Sequence, residues 1–133
     1  MKKAKKKAFC LYNRWRKQKI YCPAFKQNVR FSLKGWRHIT GATGSKKRNY
    51  NDIYRRLKLL PYAKSITKKS TTIQNIVKRK NRTFYILEAV VSVSEGGKIA
   101  LRKVRVIYEE DKQGKKVFLS VMDKKKRYKR RKK

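Results

Sequence analysis

Acidic side chains are nearly missing from this chain: seven Asp and Glu stand against forty-two Lys and Arg, a formal net charge of +35 over 133 residues. That scarcity excludes a two-metal nuclease, which needs several carboxylates converging on paired cations. Only Asp52 precedes Glu88, and Glu109, Glu110 and Asp111 share a turn. Histidine occurs once, as His38, and cysteine twice, as Cys10 and Cys22, with no histidine at metal-ligand spacing. Neither a metal site nor a cofactor is therefore expected. A reduced, cytoplasmic chain associated with nucleic acid is the simplest reading, with a Cys10–Cys22 disulfide left open. No run is apolar enough to span a bilayer, and the lysine-rich residues 1–8 lead into no apolar stretch, so neither a membrane partner nor a secretory signal is expected. Residues 41–47 lack the spacing and trailing hydroxyl of a phosphate-cradling loop, although their small and basic residues suit a phosphate.

What is present is charge, far beyond what solubility requires, and its expected partner is a polyanion. The length allows one domain with a modest core. Residues 1–30 carry no acid and interleave basics with aromatics, among them Arg14, Trp15 and Arg16. Cations release counterions from phosphates and flat rings stack on bases, so residues 1–28 read as a basic aromatic arm suited to RNA. The alternative is that its aromatics dock on the domain. Residues 124–133 are almost wholly basic and are expected to be disordered without a partner.

Residues 29–123 read as the single folded domain. A first helix begins at the N-cap candidate Ser32 and stops at Gly41 or Gly44, with Leu33, Trp36, Ile39 and Thr40 on one arc and Lys34 with His38 on another. A second runs from about Asn49 to Leu60, its stripe formed by Tyr50, Ile53, Tyr54, Leu57 and Leu60. Pro61 is read as a kink that the helix survives, to about Thr67, and Arg55, Arg56 and Lys58 are placed off the stripe. Residues 73–77 read as an edge strand. Three strands follow from Thr83 to Met122, the first turn resting on Gly96 and Gly97, whose positive φ is free of a Cβ clash. A two-residue loop there sets Ala89 against Val104, Leu87 against Val106, Tyr85 against Tyr108 and Glu88 against Arg105. A symmetric loop over 110–115 sets Val106 against Leu119, Val104 against Val121 and Arg105 against Ser120. The plan is α+β: a basic arm, two helices on one face of a three- to four-stranded antiparallel sheet, and a basic tail.

The uncovered sheet face then carries Glu88, Arg105 and Ser120 in a row. Metal-free cleavage of RNA needs a base for the 2'-hydroxyl proton, a cation for the phosphate oxygens and an acid for the leaving oxygen. His38, the sole histidine and so of the side-chain type whose unperturbed pKa lies nearest neutrality, is the natural acid or base. Arg105 offers a planar fork to phosphate, Ser120 adds a neutral hydrogen bond, and Glu88 acts as base or orients Arg105. A plain cross-strand ion pair of Glu88 with Arg105 is the competing reading. Lys34, Arg37, Lys46, Lys47, Arg48 and Lys103, with Arg14, Trp15 and Arg16, are the expected nucleic-acid contacts.

The run Phe31 to Ile39, with Gly35-Trp36-Arg37-His38 at its centre, followed by Arg56-Leu57-Lys58-Leu59-Leu60-Pro61-Tyr62-Ala63 and by Phe118-Leu119-Ser120-Val121-Met122, resembles the barnase, EndoU, colicin nuclease and RelE-like superfamily, most nearly its phage and mobile-element branches. The resemblance covers about residues 29–123. It implies helices before a four-stranded antiparallel sheet and metal-independent cleavage of RNA to a 2',3'-cyclic phosphate. It also implies a helix-borne histidine, basic residues on the sheet and a late-strand hydroxyl, which fall on His38, Arg105 and Ser120. The second histidine of EndoU-like members is absent. A monomeric endoribonuclease, such as a toxin cutting tRNA or ribosome-associated RNA and held by an acidic inhibitor protein, is one expectation. A non-catalytic RNA-binding or ribosome-associated protein is the other, and a phage or plasmid DNA-binding protein a third.

Overall fold

The computed structural model describes residues 2–41 and 49–124. Residues 125–133 of the expected tail, and the contacts expected of Lys46, Lys47 and Arg48, lie outside the described residues, whereas Lys124 ends a strand. The fold is α+β: three helices pack against a four-stranded antiparallel sheet, accompanied by a two-stranded hairpin.

The N-terminal segment, read as a basic aromatic arm outside the domain, is ordered and packs on it. It forms helix α1, Lys2–Arg16, and the hairpin of β1, Ile20–Cys22, with β2, Gln27–Val29. Ala8, Tyr12 and Trp15 recur at i, i+4 and i+7 on one face of α1 and are buried there. Five lysines in the first seven residues oppose the helix dipole; burial of that apolar face outweighs them. Tyr12 is the hub: its ring lies 5.7 Å from Phe31, 5.7 Å from Trp36 and 5.8 Å from Phe118. Its hydroxyl donates to the Ser32 carbonyl at 2.5 Å. Tyr12, Trp15 and Phe25 of the arm are buried in the domain while Tyr21 stays exposed, and Cys10 and Cys22 are both free thiols.

Helix α2, Leu33–Thr40, ends at Gly41, whose φ of 77° is the left-handed cap the glycine stop implied. Gly35 brings it onto the sheet: a Cβ there would stand 2.5 Å from the Phe118 carbonyl oxygen and 2.8 Å from the Tyr12 hydroxyl. Helix α3, Tyr50–Lys69, is capped by the Asn49 side chain, which accepts from the Asp52 amide at 2.8 Å, and it continues through Pro61 as expected. Its buried side is rotated from the expected stripe. Ile53, Leu57, Leu60, Ala63 and Ile66 are inside, but so is Arg56, whereas Tyr50 and Tyr54 are 72% and 47% exposed.

The sheet runs β3, Asn75–Arg79; β4, Arg82–Glu95; β5, Lys98–Glu110; and β6, Lys116–Lys124, in that order. Gly96 and Gly97 both take positive φ, and β4 pairs with β5 in the expected register throughout. Leu87, Val104, Val106 and Tyr108 form the fully buried face under α3, where Tyr108 and Thr67 share a hydrogen bond of 2.6 Å.

The β5–β6 register is a correction to the expected one. Asp111 accepts from the amides of Gln113 and Lys115, each at 2.9 Å, and its own amide donates to the Lys115 carbonyl. The turn therefore closes on Glu110 and Lys116, one residue later than a symmetric loop over 110–115 would place it. A bulge at Leu119 then adds a second residue, so that Tyr108 faces Phe118, Ile107 faces Ser120, Val106 faces Val121 and Arg105 faces Met122. Phe118 replaces Val117 and Leu119 as the main core residue of β6. The outer edge of β6 is not left bare, because Arg30 bridges it in parallel, donating to the Lys116 carbonyl and accepting from the Phe118 amide.

Candidate nucleic-acid interface

The expected row on the open sheet face does not assemble. Glu88 and Arg105 meet across β4 and β5 at 2.8 Å, and Lys103 stands 4.0 Å from the same carboxylate. Ser120, however, faces Ile107 and is fully buried. The bulge leaves its hydroxyl accepting from Arg56 of α3, a guanidinium that also reaches the Val121 carbonyl and the Asp52 carboxylate, the last at 3.2 Å. Arg56, only 9% exposed, is the functional candidate that sequence reasoning placed outside the core. Its signal was present: it lies three residues after Ile53 and four before Leu60, inside the apolar arc.

His38 lies in the last turn of α2 and is half-buried. Both α2 and α3 pack on β6, so the elements bearing His38, Arg56 and Ser120 meet on one strand, while Glu88 on β4, two strands away from β6, pairs with Arg105 on β5 between them. Lys34 reaches Glu109 at 3.1 Å, and Arg82 grips the same carboxylate with two bonds of 2.8 Å. Those bonds, the Arg82 pair first, hold the Glu109 carboxyl down at about 2 despite partial burial. Burial pushes the Tyr12 and Tyr108 hydroxyls above their ordinary range.

The expected nucleic-acid contacts divide by exposure. Arg14, Arg16, Lys34, Arg37 and Lys103 are all exposed. Trp15 is 4% exposed with its ring 5.2 Å from Phe31, so it is core and no stacking platform for a base. The acids are largely consumed internally: Asp52, Glu88, Glu109, Glu110 and Asp123 each pair with a Lys or Arg. Residues 1–51 contain no acid, so α1, the β1–β2 hairpin and α2 contribute no carboxylate to the surface they build.

Among the described residues no three His, Cys, Asp or Glu group as metal ligands, and no helix is long and apolar enough to cross a membrane. Compared with family models, curated proteins and solved structures, the chain matches none.

Proposed function

We propose that this protein binds RNA through the acid-free surface built by its N-terminal half. The observation that carries the reading is the partition of charge. Asp52, Glu88, Glu109, Glu110 and Asp123 each pair with a Lys or Arg, and α1, β1, β2 and α2 carry no carboxylate of their own among their exposed lysines and arginines, of which Lys34 pairs with Glu109. Such a surface binds phosphates by counterion release, with affinity falling steeply in salt. The Glu88–Arg105 pair acts within this reading as a cross-strand tie, its charge compensated inside the sheet.

A second reading, metal-independent cleavage of the bound RNA, is favoured by the convergence of α2 and α3 on β6. In it, His38 is the proton-transfer group and Arg56 replaces Arg105 as the cation facing the phosphate, with Ser120 holding the guanidinium as a positioning residue. The fold agrees with what the resemblance to the barnase-like superfamily implies, but a fold is shared by many functions. The full burial of Ser120 favours binding without chemistry.

The test is total RNA with purified protein in EDTA, read for both complex formation and 2',3'-cyclic phosphate ends, alongside His38→Ala and Arg56→Lys. Complex formation without new ends supports RNA binding alone. New ends that vanish in both folded variants support cleavage. Absence of any complex at low salt overturns both.

A further inference from the structure

The two exposed tyrosines of α3, Tyr50 and Tyr54, are one helical turn apart, and the second borders a groove between α1 and α3 with a volume of about 420 Å³. Leu11, Leu57 and Pro61 line its apolar floor. Its polar members are all cationic, Lys7 and Arg14 from α1 and Lys58 from α3, and no carboxylate occurs among the described residues lining it. Lys58 stands over the Tyr54 ring, its Nζ 5.4 Å from the centroid, so the face of that ring is already presented to a cation.

A groove lined by apolar side chains, an exposed ring and three cations has the chemistry of a nucleotide subsite: a base needs a flat face and apolar contact, and its flanking phosphates need cations. The volume lies within the roughly 300–1,000 Å³ of small-molecule sites. We infer that the α1–α3 groove holds an unpaired RNA base against Tyr54, with the neighbouring phosphates on Lys7, Arg14 and Lys58, so that the protein prefers looped or single-stranded RNA to duplex. The inference rests on the RNA-binding reading and names the structural class of its ligand. It also supplies the stacking ring that Trp15, being buried, does not.

The experiment is fluorescence anisotropy with two labelled 2'-O-methyl probes of equal phosphate number, a single-stranded uridine oligomer and a closed hairpin; neither has the hydroxyl that cleavage would use. Wild type is expected to bind the single strand more tightly. Tyr54→Ala is expected to weaken single-strand binding about tenfold, as loss of one stacked base does, and to leave hairpin binding unchanged, whereas Tyr54→Phe restores it. Lys7→Ala and Lys58→Ala should each flatten the single-strand salt dependence by about 0.7 in log–log slope. A folded Tyr54→Ala protein that binds both probes like wild type, or loses both equally, overturns the groove assignment while leaving RNA binding standing. Wild type that binds neither probe overturns the groove assignment together with the reading beneath it.

Discussion

Arg56 on α3 donates to the hydroxyl of Ser120 on β6, and this bond joins two residues that sequence periodicity assigns to opposite outer surfaces. It ties the N-terminal half of α3 to the strand beside which α2 also packs. Removing one partner leaves the other's polar groups buried and short of a bond. Ser120→Ala is expected to cost about 1–2 kcal/mol and Arg56→Met about 1–3 kcal/mol, with the double variant less than additive. Urea unfolding of the four proteins measures the coupling.

Gly35→Ala should be among the most damaging single-methyl additions in the chain. The new Cβ would meet the Phe118 backbone oxygen and ring as well as the Tyr12 hydroxyl, and a backbone carbonyl in a strand cannot swing aside like a surface side chain. A loss of roughly 1–3 kcal/mol is expected, since overpacking forces both α2 and β6 to shift. A thermal midpoint equal to wild type would show that α2 does not sit this close to β6.

Tyr12→Ala separates a docked helix from an arm. As an arm residue it would change stability by a few tenths of a kcal/mol. As the hub of the aromatic core it should cost about 3–5 kcal/mol and lower the cooperativity of the whole domain. Residues 1–28 were legible in composition but not in structure, because the sequence signal most visible there is charge. The apolar spacing of Ala8, Tyr12 and Trp15 is short and flanked by lysines whose mutual repulsion argues against a helix. Only the surface offered by Phe31, Trp36 and Phe118 settles the balance.

Glu109 predicts an acid-labile contribution to stability. Its folded carboxyl is lowered from 4.5 to about 2 by Arg82 and Lys34, so the stabilisation is fully present above about pH 4.5 and is lost as pH falls toward 2. Both cations are more than half exposed, which screens the interaction to on the order of 1 kcal/mol. Glu109→Gln should therefore unfold earlier than wild type at pH 7. The two midpoints should converge as pH approaches 2.

The sequence by itself determined what short-range rules govern. Two adjacent glycines and alternating hydrophobicity set the β4–β5 register to the residue, Glu88 opposite Arg105 included, because a two-residue loop admits one pairing and a slip would turn the buried face outward. A glycine stop at Gly41 or Gly44 and a start at about Asn49 likewise bracketed the end of α2 and the beginning of α3. The tertiary structure alone decided the face of α3 that turns inward, the conversion of the N-terminal segment into α1, and the register of β6. In β6 the carboxylate of Asp111 closes a longer turn and a bulge at Leu119 lets Phe118 and Val121 both reach the core. Each of those choices is settled by packing between residues far apart in the chain. For that reason the catalytic row read from local spacing came apart, while the charge of +35, which depends on composition and not on register, still points to a polyanion.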